Sequence, residues 1–274
     1  ATTDETYQTP LLSEPFLLSD KARQQSGVGV NWSLGTTISP TLRPGIKGHF
    51  SAHGQVLDYP NADFDQGTGR LEAGFRRQNK NPRGIRTIVA LTYEQQYFGG
   101  DPYGRRHGIR LGADRPVGQR SHLWVDLSTE QAAYPSNPDR DGWVYSLGVR
   151  GMRAMNQALR LGVQTGIVRE DAEAASLSNT QYRFGATLLA ALPWNTQIGV
   201  YPTIYFRQFD ETGMLQFEPR EDWTYDVATQ LAKRNWQING FYPGLVYRFT
   251  ENQSSDSVQS YERHTMDVSF SKQF

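Results

Sequence analysis

The sequence predicts an all-β chain: an antiparallel transmembrane β-barrel of the bacterial outer membrane, with about thirteen strands here and fourteen in the complete protein. Three observations carry this expectation. Short segments alternate apolar and polar residues with period two, which gives a strand one apolar face and one polar face. Their connections alternate between short turns and long polar loops, as bacterial barrels do between periplasmic and external ends. Aromatic residues gather at segment ends, where a membrane interface holds amphipathic rings: Tyr93, Tyr97, Tyr134, Trp143, Tyr145, Trp194, Trp223, Tyr225 and Trp236.

Taken in order, residues 1–26 read mostly as external loop, and 27–274 as the barrel. GVGVNWSLG puts Val28, Val30, Trp32 and Leu34 on one face, with Gly29, Asn31 and Ser33 on the other. IRTIVALTYEQQY sets Val89, Leu91 and Tyr93 against Ala90, Thr92 and Glu94. GIRLGAD sets Ile109, Leu111 and Ala113 against Arg110 and Asp114. HLWVDLSTE and YRFGATLLAA repeat the pattern through Leu123, Val125 and Leu127, and through Tyr182, Phe184 and Leu188. The short turns are SPT, NKNPRG, PVGQR, MNQ, PWN and KRN. The long set is LDYPNADFDQG, FGGDPYG, YPSNPDRDG, EDAEAASLSN, DETGMLQFEPRED and TENQSSDS. The chain closes on HTMDVSFSKQF, in which Met266, Val268, Phe270, Lys272 and Phe274 share a row opposite Asp267, Ser269, Ser271 and Gln273. Phe270 and Phe274 are read as the C-terminal insertion signal met by the barrel assembly machinery. Lys272 can snorkel to the nearby interface.

Composition removes several competitors. The chain has 274 residues, formal net charge zero, no cysteine and 26 glycines. Mean hydropathy is −0.62, and no apolar run approaches the roughly 18 residues of a membrane-spanning helix. A strand barrel escapes that test, because alternation halves its apparent hydrophobicity. The lack of cysteine excludes disulfide frameworks, thiolate zinc sites and cysteine nucleophiles. Balanced charge argues against a nucleic-acid partner. A soluble sandwich is the competing fold, but it would mix connection lengths without this regularity.

Parity adds an expectation about the ends. The last strand must descend into the periplasm, and the first, ending at SPT, descends too. Single-chain bacterial barrels have even strand numbers, so an upward strand is expected before residue 27. ATTDETYQTP lacks the basic and apolar start of a signal peptide, so the chain reads as mature or as a fragment. TPLLSEPFLLSDKARQQ is a poor strand, because Pro10 and Pro15 cannot donate to a ladder. The seam is expected to be filled by a separate upstream segment, or else by residues 10–20 as an irregular strand. It would be the weakest part of the wall and a lateral exit.

Catalytic chemistry finds little purchase. His49, His53, His107, His122 and His264 lack neighbouring ligands at metal spacing. No serine stands beside a histidine in the pattern of an outer-membrane phospholipase. Asp101, Asp139, Asp141, Asp210, Glu218 and Glu221 are expected to be solvated loop acids facing lipopolysaccharide, rather than a protease or calcium site. The chain is therefore expected not to be an enzyme, with no cofactor and no metal. The polar rows are more distinctive. Arg43, Lys47, Arg76, Arg86, Arg106, Arg110, Arg150, Arg160 and Arg183 fall on them, with Glu72, Glu94 and Asp126. They could lace the lumen with arginine–carboxylate pairs, or form a basic track that guides a substrate.

YEQQYFGGDPYGRRHGIRLGADRPVGQRSHLWVDLSTEQAAY resembles the central part of the surface lipoprotein assembly modifier (Slam) barrels. There, an aromatic-Gly-Gly-x-x-Tyr loop leads into a strand that begins with a basic residue and glycines. The C-terminal stretch from Trp236 is similar to the family's end, through Gly240, Pro243, Ser254, Ser255, Tyr261, Arg263 and Phe274. The resemblance runs over roughly residues 25–274. It implies a fourteen-stranded barrel, preceded in the family by a periplasmic domain of tetratricopeptide repeats that does not occur here. It also implies passage of client proteins, often lipoproteins that capture iron or haem, to the cell surface. The expected function is thus an outer-membrane translocon or assembly factor. A diffusion or polysaccharide-export porin is the alternative that barrel physics equally permits.

Overall fold

The computed structural model describes residues 30–58, 65–79, 81, 83–213, 218–233, 235–236 and 242–271. Its strands are β1 (Val30–Ile38), β2 (Thr41–Arg43), β3 (Ile46–Asp58), β4 (Gln66–Arg77), β5 (Arg86–Phe98), β6 (Asp101–Val117), β7 (Ser121–Ala133), β8 (Gly142–Ala154), β9 (Leu159–Ala172), β10 (Asn179–Leu192), β11 (Thr196–Phe209), β12 (Glu221–Lys233), β13 (Tyr242–Ser254) and β14 (Tyr261–Ser271). They form one fourteen-stranded sheet, antiparallel throughout. Short β2 pairs only with the start of β3, which leaves thirteen strands on the continuous path. No described helix is long and apolar enough to cross a membrane.

The sheet is built inside out relative to a soluble protein. Leu71 and Phe75 on β4, Val89 and Leu91 on β5, and Phe184 on β10 are exposed on one face. Thr92, Gln96, Glu130, Asp226 and Thr250 are buried on the other. Water would make this arrangement costly over so large an apolar area, whereas lipid accepts it. The predicted alternation sets hold: in β5 and β6 the apolar rows point outward and Arg86, Glu94, Arg106 and Arg110 point inward.

The wall is also curved. Arg70 of β4 and Glu130 of β7 lie three strands apart, about 14 Å across a flat sheet at normal strand spacing. Their charged groups nevertheless meet at 3.0 Å. Inward side chains converge in this way only over a concave face.

Connections at one end are 39–45, 78–85, 118–120, 155–158, 193–195 and 234–241; at the other they are 59–65, 99–100, 134–141, 173–178, 210–220 and 255–260. The second set is less extended than the sequence suggests. FGGDPYG is not a long loop: β5 runs to Phe98, β6 starts at Asp101, and Gly99 and Gly100 make the turn at φ 59° and 83°. Both glycines sit in the left-handed region that other residues rarely adopt. Likewise Asp171 and Ala172 belong to β9, and Thr250–Ser254 to β13. A hydrogen-bond ladder does not stop where the apolar row stops, so hairpins rise past the membrane on polar residues. Short 3-10 turns at Pro138–Arg140, Ala175–Leu177 and Ser257–Gln259 cap three of them.

Among the described residues β1 pairs only with β3, and β14 only with β13. Closure of β14 onto residues 27–36 is therefore not seen. Residues 10–20, the offered fourteenth strand, lie outside the described residues, as do Lys272 and Phe274. Phe270 sits in β14 opposite Pro243.

Candidate functional site

The inner wall concentrates the chain's polar chemistry, and strand parity explains how. On β4 the even residues face inward, so Arg70, Glu72 and Arg76 share a row; on β6 the same parity lines up Arg106, Arg110 and Asp114. Arg70 is the hub. It donates to Glu94 of β5 at 3.1 Å and to Glu130 of β7 at 3.0 Å, and its Nε stands 3.5 Å from Glu72. Glu130 also accepts from the Thr92 hydroxyl at 2.9 Å. Arg110 joins Glu72 of β4 at 3.0 Å to Asp126 of β7 at 2.6 Å. His49 of β3 completes this chain at 3.4 Å from Glu72.

Two further knots lie toward the ends. Near the short turns, Arg86 donates through Nε to Asp114 at 2.6 Å, and His122 Nε2 is 2.7 Å from the same carboxylate. His122 stacks on Trp124, and the Arg150 guanidinium lies 4.7 Å from that indole's centre. Toward the loops, Arg106 of β6 reaches Glu170 of β9 at 3.4 Å and the Tyr134 hydroxyl at 3.0 Å. Arg140 donates to the Tyr103 hydroxyl at 2.9 Å and lies over the Tyr134 ring. Tyr134 packs with Ala132 and Val144 in a small buried apolar cluster. It is therefore an internal residue, not part of the interface girdle in which the sequence placed it. Trp143, Tyr145, Trp223 and Tyr225 do stand exposed on the outer face.

Of the basic residues predicted to line the lumen, Arg86, Arg106 and Arg110 are tied to carboxylates. Lys47 and Arg76 face each other directly across β3 and β4, with no ion pair among the described residues. Arg183 lies over an inner-wall glycine pair: a Cβ on Gly166 would stand 3.6 Å from its Nη2, and one on Gly148 would stand 3.9 Å from it. Arg150 and Arg160 are on inward rows of β8 and β9. Arg43 departs from the expectation. It is exposed in β2, because the first hairpin turns over residues 39–45 rather than at SPT alone.

The sequence reading missed Arg70, Arg140 and Glu170. Arg70 could have been found, since it precedes Glu72 by two positions on the same row. Nothing local marks Arg140 as a link across the wall, since its polar partners Tyr103 and Glu170 come from β6 and β9.

From β11 to β14 the wall is different. Thr250 donates to Asp226 at 2.8 Å, Thr224 donates to Asn252 at 2.6 Å, and Arg248 stands 3.8 Å from Asp226. Each link joins β12 to β13 and goes no further. Buried Thr203 Oγ1, Asp222 Oδ1, Asp226 Oδ1, Arg248 Nε and Arg263 Nε have no hydrogen-bond partner in the protein among the described residues, as is also true of His49 Nδ1, Arg106 Nε and Arg150 Nε in the other half. Water is what normally satisfies buried groups of this kind.

Two of the loop acids have structural partners. Asp141 accepts from the Tyr134 amide at 2.6 Å. Asp210, beyond the end of β11, accepts from Arg169 at 2.6 Å, and that hydrogen bond holds its carboxyl below the ordinary aspartate range. Among the described residues, no group of three or more histidine and carboxylate side chains is arranged to hold a metal ion.

Comparison with curated proteins returns no significant match. Among solved structures the sheet is similar to one described as a bacterial polysaccharide outer membrane secretin, at 14% sequence identity and a TM-score of 0.48. That match covers 88% of this chain and 77% of the other. The model of the surface lipoprotein assembly modifier family matches residues 8–274. An outward apolar belt, an inward polar wall and this match over nearly the whole chain lead to one conclusion: the chain belongs to the surface lipoprotein assembly modifier family.

Proposed function

We propose that this chain carries client proteins, surface lipoproteins above all, across the outer membrane to the cell surface. The family match over residues 8–274 carries this reading. The inner wall suits it. Its β4–β9 half is fastened to itself by links that skip strands, and its β11–β14 half is polar and fastened only between neighbours. A fixed wall facing a wet, less constrained one can pass a chain of varied side chains without a fitted pocket. Of the basic residues expected to line the lumen, Lys47, Arg76 and Arg183 have no ion pair among the described residues and are left to guide an acidic client segment, whereas Arg86, Arg106 and Arg110 are bonded to the wall.

The test is co-expression with a lipoprotein encoded beside this protein, scoring exposure of that lipoprotein on intact cells. Exposure should depend on the chain; unchanged exposure after deletion overturns the reading. Planar-bilayer recording separates the porin alternative. A steady, wide-open conductance indicates a porin, whereas a closed or flickering one agrees with a gated translocon.

A further inference from the structure

The outer face carries a charge pattern that neither the family nor the lumen accounts for. Arg77 of β4, Arg115 of β6 and Arg153 of β8 all sit on outward rows at the short-turn end, and all are exposed. Arg83 and Arg120 are exposed in the turns between these strands. None of these arginines makes an ion pair among the described residues; Arg120 donates only to the Met155 carbonyl at 3.3 Å. The outward rows of β4 to β8 hold no carboxylate except Asp101, which lies at the opposite end of β6. The turn sequences QNKNPRGI, GQR and MNQA contain none either. Asp114, the acid near this end, faces inward and is held by Arg86 and His122.

Register places the strand arginines on one level. Arg77 pairs with Thr87, which pairs with Ala113, so Arg115 lies two residues lower on β6. Arg115 pairs with Leu123, which pairs with Gly151, so Arg153 again lies two residues lower on β8. Each step is about 6.7 Å along the strand for about 9.6 Å across two strands, a slope of roughly 35°. Strands of a membrane barrel tilt by about 35–45°. A line of that slope therefore runs parallel to the membrane plane, and the arginines lie along it below Phe75 on β4, below Leu111 and Ala113 on β6, and below Leu147, Val149 and Gly151 on β8. Continued by the same step, the line reaches Ala190 on β10, and the next short turn presents Trp194, 82% exposed. One further step reaches Lys233 on the outward row of β12, 4.9 Å from the Trp236 ring, so the arginines gather over β4–β8 and a single lysine continues their level.

We propose that Arg77, Arg115 and Arg153, supported by Arg83 and Arg120, form a binding band for the phosphates of anionic phospholipid headgroups in the leaflet at the short-turn end. Cations ranged at one depth beneath an apolar belt match the order of a phospholipid, with acyl chains above and phosphate below. Arginine engages phosphate through paired N–H donors, and its stem lies along the belt while the guanidinium reaches the interface. The sector β4–β8, with three arginines on this level against one lysine on β12, would then hold the larger share of anionic lipid.

The test uses the full chain in detergent micelles. Native mass spectrometry follows titration with phosphatidylglycerol and, separately, phosphatidylcholine of the same acyl chains. The wild type should retain phosphatidylglycerol preferentially. Each basic residue near an anionic surface contributes a factor of about five, so the triple variant R77Q/R115Q/R153Q should lose at least about tenfold of that preference. The triple lysine variant should keep most of it, which controls for folding, and Arg169→Gln, outward at the opposite end, should change nothing. No preference in the wild type overturns the proposal and leaves the band to an acidic protein partner. Retention of the preference in the glutamine triple variant, or its abolition by millimolar inorganic phosphate, overturns it equally.

Discussion

Between β4 and β9 inward side chains reach past their neighbouring strands, whereas from β11 to β14 they stop at the next one. Arg70 bridges β4 to β7, Arg110 bridges β6 to β4, and Arg106 bridges β6 to β9. In the other half, the hydrogen bond and ion pair of Asp226 among the described residues go to Thr250 and Arg248 of adjacent β13. The backbone ladder is equally continuous in both halves. The difference therefore lies in side-chain length and charge placement. Arginine paired with glutamate spans the gap between strands; aspartate, threonine and asparagine cannot. One half resists shear between its strands, and the other is held by its backbone ladder and by side-chain links between neighbours.

The largest expected effect is in the braced half. Arg70→Ala would leave Glu72, Glu94 and Glu130 crowded without their shared cation, which predicts a loss of roughly 3–5 kcal/mol. Urea unfolding in micelles, followed by heat-modifiable gel migration, would measure it. A loss below 1 kcal/mol on the order-of-magnitude scale of exposed pairs would mean that the lacing is ornamental.

Gly108→Ala comes next. A Cβ there would meet the Thr129 carbonyl and stand 2.6 Å from Glu130 Cα, so overpacking should cost about 1–3 kcal/mol. Gly54→Ala, with open space around its Cβ, should be silent in the same assay. Arg248→Ala in the other half removes a cation 3.8 Å from Asp226, while Thr250 still donates to that carboxylate; about 1 kcal/mol is expected. If Arg248→Ala proves as damaging as Arg70→Ala, the two halves are not mechanically distinct.

The smallest effect concerns pH. Arg169 donates to Asp210 on the outer side of the loop end and lowers its pKa from 3.8. Because the folded-state value is the lower one, the pair's contribution is present above the unfolded pKa and fades as pH falls through the folded one. Asp210 is exposed, so the effect should be slight and weakened by salt. Melting curves between pH 5 and 2 should show Asp210→Asn losing less stability on acidification than the wild type. Identical acid profiles would remove the pair from the account.

What the sequence determined by itself was facing. Period-two alternation assigned Leu91 and Ile109 outward and Glu94 and Arg110 inward, because successive strand side chains must point to opposite faces. That constraint is local; alone it gave the inward row on which most of the basic residues sit, and with the alternating connection lengths and the aromatic ends it gave the fold class. Only the tertiary structure decided which charges meet. Arg70 and Glu130 are sixty residues apart, and Arg106 and Glu170 sixty-four; their contact depends on register, tilt and curvature accumulated over several strands. The same accumulation set Arg77, Arg115 and Arg153 on one level; they recur every 38 residues along the chain, but only register shows that this repeat follows the strand tilt. Hairpin height was hidden too: polar residues at Asp101 or Asp171 read as loop, because above the membrane a strand needs its ladder and no apolar row.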